Sequence, residues 1–252
     1  MISIEKAKKA FAEYVSKYNV EDEKIAIKIK HTYRVVESSE YIAKKIGLGQ
    51  EDIALAMLIG ILHDIGRFEQ AKQYHTFVDS KSFDHADFGV EVLFKDNLIR
   101  EFIEDEKYDD IIKKSIRNHN KYTIEEGMNE RELIHSKIIR DSDKVDNLNL
   151  IYLERLEVFP NRGGIAIEKI TDKVFNDFVN HKTILNADRI TNLDFWISYI
   201  AWIFDLNFDA SIQLVKEKDY INPFIDYVDC KNEDVKNKME IIRKIANEFL
   251  NN

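Results

Sequence analysis

Helix breakers are scarce in this chain: two prolines and eight glycines among 252 residues leave few points at which a helix must stop. Long periodic segments rich in Ile, Leu, Lys and Glu lie between them, and the two features together predict an all-α fold. Cys230 is the only cysteine, which excludes an intrachain disulfide and zinc-finger ligation; with no His-Cys pair around it, it reads as a plain structural or surface thiol. The longest apolar run, Ile53 to Leu62, falls far short of the about 20 residues that a bilayer crossing takes. The first residues, MISIEKAKKAFAEY, are charged throughout and lack the apolar stretch of a secretory signal, so a cytoplasmic protein is expected. Positive charge is in deficit: 37 Lys and Arg against 46 Asp and Glu give a formal net charge of -9, which disfavours duplex nucleic acid as a partner of the whole surface. A local basic pocket for a small anion remains compatible with that balance.

What the chain does contain, 44% hydrophobic and 33% charged residues, is the balance of a soluble globular protein. The expectation is one all-α domain over 1–252, with a core at about 20–150 and a helical extension at about 165–252. Amphipathic spacing predicts helices over Ile4 to Tyr18, Asp22 to Ile46, Gln50 to His63 with a stop near Gly66, a segment carrying His85, Asp109 to Asn118, Glu130 through Leu153, Ile165 to His181, Asn192 to Phe204 and Glu233 to Leu250. Arg67 to Lys81 looks too polar and irregular for a helix. Ser82 reads as the N-cap of the His85 helix, with Asp84 in its first turn. Thr123 and Glu126 have capping-box spacing, but Gly127 follows at once and makes the stretch a loop. Phe159 to Gly164 is the clearest break, readable as a linker or, preferably, as a long connection within one domain, because the later aromatic helices look apolar enough to pack on the core. The stripe WISYIAWIF, Trp196 to Phe204, reads as core packing or a subunit contact; no Lys or Arg lies opposite it to suit a membrane surface.

The most informative feature is His63-Asp64-Ile65-Gly66, at the end of a run, Ile53 to Leu62, with no polar side chain. A hydrophobic helix thus delivers adjacent imidazole and carboxylate groups inward, where they need a partner; a divalent metal suits both ligand types. Further candidates occur in helix-like patterns: His31 in KIKHTYRVVESSEYIAKKIG, His85 in SFDHADFGVEVLF, His119 in IRNHNKY and Asp143 in IIRDSDKVDNL. The order His, His-Asp, His, His, Asp resembles the HD superfamily of metal-dependent phosphohydrolases, over residues of about 20 to 150, and specifically its six-ligand members with two metals.

That resemblance implies an HD-domain helical bundle in which His31, His63, Asp64 and Asp143 hold one metal and Asp64 bridges to a second held by His85 and His119. It implies two divalent ions of Mn, Fe, Co, Ni or Zn, with Mg disfavoured at the histidine-rich second site. A hydroxide generated between them would attack a nucleotide or other small phosphoester, in a phosphomonoesterase or phosphodiesterase reaction without a protein nucleophile. The expected partner is a small phosphorylated substrate, with no duplex nucleic acid and no membrane; a homo-oligomer is left open. The guanosine polyphosphate hydrolases of this superfamily carry two acidic residues soon after His-Asp, and the cyclic-dinucleotide phosphodiesterases carry Gly-Tyr-Pro; neither feature is present. A di-iron oxygenase with the same ligand set, or a non-catalytic metal-stabilised regulatory protein, are the alternatives.

Basic residues beside the motif, Arg67 and Lys144 foremost and Lys121 and Arg117 after them, are candidates for phosphate contact or for ordinary ion pairs. Asp64, Arg67 and Lys144 form the catalytic candidate set. Glu69 reads as an exposed loop carboxylate or as an orienter of a ligand histidine. His75 reads as a solvated loop residue or a lid contact, and His135 and His181 as surface positions. Asp141 and Asp146 support the site or lie on a helix surface.

Overall fold

A computed structural model of the chain describes residues 2–153, 168–228 and 230–252, and among these residues helices are the only regular elements, as the sparse breakers lead one to expect. The chain divides into two compact units, Met1–Asp143 and Lys144–Asn252, each with its own apolar core.

In the first unit, α1 (Ile4–Val15) is capped by the Ser3 hydroxyl and α2 (Glu23–Lys45) by Asp22, whose carboxylate accepts from the Lys24 amide. Gly47, at φ 80°, turns the chain after α2 in a conformation that a side chain would strain. Next comes α3 (Gln50–Leu62), whose apolar run is buried except at Ala54 and Met57, which are half-buried. A helix of that kind belongs at the centre of a core, and each of its fully buried Leu and Ile side chains contributes roughly 1.5–3 kcal/mol relative to exposure. It runs close beside α2, since a Cβ on Gly60 would lie 3.2 Å from Val36 Cα.

The next segment departs from expectation. Residues Ile65–Tyr74 form a helix, α4, followed by a short 3-10 turn at Asp79–Lys81. Ile65, Phe68 and Ala71 recur at helical spacing and are buried, and Phe68 packs against Phe11, Tyr14 and Tyr18 of the first helix and its exit. Polarity misled because Gln70, also buried, is fully engaged: its amide donates to Asp79 Oδ1, Ser82 Oγ and the Phe83 carbonyl. Gly66 is therefore no stop. It lies inside α4 where the helix meets α5 (His85–Phe94), and a Cβ there would sit 2.5 Å from the His85 carbonyl oxygen and 2.9 Å from the Gly89 nitrogen. The cap of α5 is Asp84, not Ser82: the Asp84 carboxylate accepts from the Ala86 and Asp87 amides, while the Ser82 hydroxyl serves Gln70. The unit is completed by α6 (Ile99–Phe102), α7 (Asp109–Asn118) and the first part of α8 (Glu130–Leu153); α7 has the expected bounds, α8 starts where expected, and Thr123 to Gly127 is a loop.

The second unit contains α9 (Asp172–Val179), α10 (Asn192–Ile200), α11 (Asp209–Glu217), α12 (Ile221–Asp226) and α13 (Glu233–Asn251). The break at Phe159 to Gly164 and the first residues of the helix expected from Ile165 lie outside the described residues. α10 is one turn shorter than expected, because the chain tightens into a 3-10 turn over Ala201–Asp205. Trp196 is buried with its indole N–H donating to the Phe224 carbonyl, so this part of the aromatic stripe is core of the second unit. Cys230 is buried in the same core. Among the described residues no helix is long and apolar enough to cross a membrane.

The backbone contact at Gly66 has a measurable cost. Gly66→Ala is expected to destabilise by about 1–3 kcal/mol through overpacking of α4 on α5, whereas Gly49→Ser, at an open N-cap, should change stability by no more than a few tenths of a kcal/mol. Urea unfolding of the two variants beside the wild type checks this, and equal midpoints would show that α4 and α5 can separate freely.

Candidate metal centre

His63 and Asp64 occupy the joint between two helices. His63 is the C-cap of α3 and Asp64 the N-cap of α4, yet the Asp64 carboxylate makes no capping hydrogen bond, which leaves both of its oxygens to the interior. The expectation of a helix C-terminus is thus half of the arrangement. His85 is the first residue of α5, His119 caps the end of α7, and His31 and Asp143 project from the middles of α2 and α8. All four of these histidines and Asp64 are buried.

The structure brings the six expected side chains together. Asp64 Oδ2 is 3.5 Å from both His31 Nε2 and His63 Nε2, which are 3.3 Å from each other. Asp143 Oδ1 closes this half at 3.1 Å from His31 Nε2 and 3.9 Å from His63 Nε2. The other oxygen, Asp64 Oδ1, is 3.4 Å from His85 Nε2 and 3.7 Å from His119 Nε2, and these two nitrogens are 3.0 Å apart. His31, His63 and Asp64 form one group that could hold a metal ion, and Asp64, His85 and His119 another.

The donor chemistry fits a cation in each half. His63 Nδ1 is 2.8 Å from the Gly60 carbonyl, His119 Nδ1 2.7 Å from the Ile116 carbonyl and His85 Nδ1 2.7 Å from Asp79 Oδ2. These partners only accept, so each Nδ1 carries the proton and each neutral ring turns an Nε2 lone pair inward. The lone pairs of His85 and His119, facing each other at 3.0 Å, repel unless positive charge lies between them. Ligand atoms about 2.1 Å from one ion lie roughly 3.0–3.4 Å apart, and the atoms here are 3.0 to 3.9 Å apart. Burial lowers the His63 pKa and, with the Arg67 charge, takes that of His85 down to about 3, keeping both rings neutral and ligand-competent. Burial works against the charge on Asp64, but the Lys28 ammonium holds its carboxyl well below the usual range. Asp143 behaves likewise, with His31 as its main counterpart.

Three supporting residues escaped the sequence reading. Lys28 Nζ is 2.6 Å from Asp64 Oδ2 and buried; its place three residues before His31, on the same face of α2, is a signal that spacing could have supplied. Asp79, in a segment read as irregular, ties His85 to Arg67, whose Nη1 donates to Asp79 Oδ1 at 2.7 Å, to Gln70 and to the Phe77 carbonyl. Arg140, buried on α8, donates to the carbonyls of Asn118 at 2.8 Å, Tyr122 at 3.2 Å and Lys121, fixing the chain on both sides of His119.

The remaining candidates are placed as follows. Arg67 is held in the network just described, with its buried Nε 3.6 Å from Asp64 Oδ1 and making no hydrogen bond. Lys121 pairs with Asp84 and Asp87, Arg117 approaches Asp87 at 3.7 Å, and Lys144 pairs with Asp205 at 2.7 Å within the second unit. Glu69 accepts from Tyr18 and Gln73 and orients no histidine of the group. His75 is exposed at the left-handed C-cap of α4, and His181 is exposed against the Phe204 ring. His135 is not a surface residue: it is buried, 3.0 Å from Asp52 Oδ1, because α8 presents it to the start of α3. Asp141 and Asp146 are also buried rather than on a helix surface.

Asp79→Ala would free the His85 ring to rotate and to change tautomer. The expected result is about 10–100-fold weaker binding of one metal equivalent with the other retained, read by competition against a chelating dye. Unchanged affinity for both would mean that His85 is held by packing alone.

Comparison with protein families matches residues 29–148 to the HD domain, a span that contains all six converging side chains. Comparison with curated proteins and with solved structures gives no match. HD domains bind divalent metals, and the two His/Asp groups are of the kind that could hold them. Residues 29–148 thus match the HD domain, in line with the resemblance to the HD superfamily of metal-dependent phosphohydrolases.

Proposed function

We propose that the protein hydrolyses a nucleotide or another small phosphoester, with His31, His63, Asp64 and Asp143 holding one divalent ion and Asp64, His85 and His119 a second. The observation that carries this reading is the division of Asp64: one carboxylate oxygen faces His31 and His63, the other faces His85 and His119. Divalent ions bound in the two halves would polarise a phosphoryl oxygen and bring a water's pKa towards neutrality. The chain's own part is position and charge. The imidazoles of His63, His85 and His119, each with its outer nitrogen pinned, keep their inner lone pairs fixed, so that no rotation is needed as substrate arrives. Arg67 offers its unengaged Nε beside Asp64 Oδ1 as a contact for a substrate oxygen, while Nη1 anchors the side chain to Asp79. Lys144, paired with Asp205, serves the second unit in this reading.

Elemental analysis of protein purified without chelators, followed by an anaerobic phosphoester panel, tests the proposal. About two metal equivalents are expected in the wild type, none in Asp64→Ala, and about one in His85→Ala or His119→Ala. Activity should vanish in Asp64→Ala, and full activity there would sink the mechanism. Turnover that needs oxygen would replace hydrolysis with oxygenase chemistry.

A further inference from the structure

We infer that the second unit carries a binding site for a small aromatic oxyanion, a phosphate or carboxylate joined to a flat ring, in which the Arg189 guanidinium takes the oxyanion. Every residue that carries the inference belongs to the second unit, and it stands whatever the metal centre of the first unit hydrolyses.

Arg189 follows the 3-10 turn at Asn186–Asp188 and leads into α10. It is half-buried, its Nε is fully enclosed, and its guanidinium makes no hydrogen bond or ion pair among the described residues. The two acids nearest to it in sequence are engaged elsewhere. Asp188 pairs with Lys173 at 3.3 Å. Asp194, buried in α10, accepts from the amides of Thr171, Ile190 and Thr191 and from the Thr171 hydroxyl. These bonds pin the backbone just after Arg189, so the residue is held in place while its charge is left unanswered. The neighbours of the guanidinium are aromatic. It lies 5.2 Å from the centre of the Phe195 ring, and Phe195 continues into a row with Tyr199 at 5.1 Å and Trp202 at 4.2 Å beyond that. Burial lowers the Arg189 pKa, and Tyr199 is the one group that works against the lowering.

A guanidinium does not shed its proton to suit an apolar setting, and a half-buried charge without a counterion is costly, a cost that an aromatic face offsets only in part. An anion from outside completes such a group. The planar fork donates two parallel hydrogen bonds to the edge of a phosphate or a carboxylate, the geometry that guanidinium fits best. A ring attached to that oxyanion has apolar surface to cover, because Trp202 is half-buried and Ile190, next to Arg189 in the chain, is 80% exposed. A bare inorganic ion would leave that surface in water.

The test titrates EDTA-treated wild type, Arg189→Met and Arg189→Lys with AMP and with benzoate, each beside its ringless counterpart, inorganic phosphate or acetate. Calorimetry and the fluorescence of the two tryptophans report binding, and thermal melts of the ligand-free proteins run alongside. The wild type should bind AMP or benzoate about tenfold more tightly than the ringless ion, and which of the two it takes identifies the oxyanion. Arg189→Met should lose about tenfold or more of that affinity, and Arg189→Lys, which keeps the charge without the fork, should fall between the two. Without ligand Arg189→Met should melt no lower than the wild type, because it replaces an unpaired charge by an apolar side chain. Wild type that binds neither ringed anion, or binds the ringless ions as well, would overturn the inference. So would unchanged affinity in Arg189→Met, while a lower melting temperature in that variant would make the guanidinium a structural part of the core and overturn it too.

Discussion

A carboxylate held away from water must be answered by positive charge, and in the first unit that carboxylate is Asp64. The idealised cost of taking an unanswered carboxylate into a dry interior is of order 20 kcal/mol, more than a domain's whole stability. The structure meets the constraint with an ammonium on one oxygen and a guanidinium beside the other, and it gathers four imidazole rings around both as donors for a cation. Each comes from a different place along the chain, so the fold of α2, α4, α5 and α7 can be read as a way of bringing them to one point. The apolar run of α3 serves the same end, because a largely buried stretch of helix can put its C-terminal residue inside the core.

Around this inner group lies a second layer that fixes direction. Two main-chain carbonyls and Asp79 take the outer protons of three rings, Gln70 and Arg67 hold Asp79, and Arg140 binds three carbonyls around His119. Hydrogen bonds of this sort add little net stability apiece, about 1 kcal/mol each, but they remove alternatives of rotamer and tautomer. The close approach of α4 and α5 at Gly66 and Gly89 acts at the level of the backbone, since it sets how near His85 comes to Asp64.

Much of this was legible beforehand, for identifiable reasons. The six side chains could be picked out because His-Asp after an apolar run is chemically odd, and the others follow in a recognisable order. α7 could be delimited, and the start of α8 placed, because their spacing is regular. What the sequence concealed is polar matter that is buried: Gln70 and Arg67 made α4 look like a loop, and Asp79 has no spacing that announces it. His135 resembled a surface histidine for the same reason, since its partner Asp52 lies on another helix. Lys28 was hidden among the many lysines of α2, although its offset from His31 marks it. In the second unit the short helices α11 and α12 carry too few turns for a period to emerge.

The position of the inner residues at helix ends has a consequence for how the unit holds together. His63, Asp64, His85 and His119 stand at helix termini, and the six side chains span the chain from residue 31 to residue 143. No short segment of the unfolded chain contains more than two of them, so the set exists only when the helices of this unit are docked together. Any ion that it holds is therefore a non-covalent staple across the whole unit, favouring the docked state by mass action.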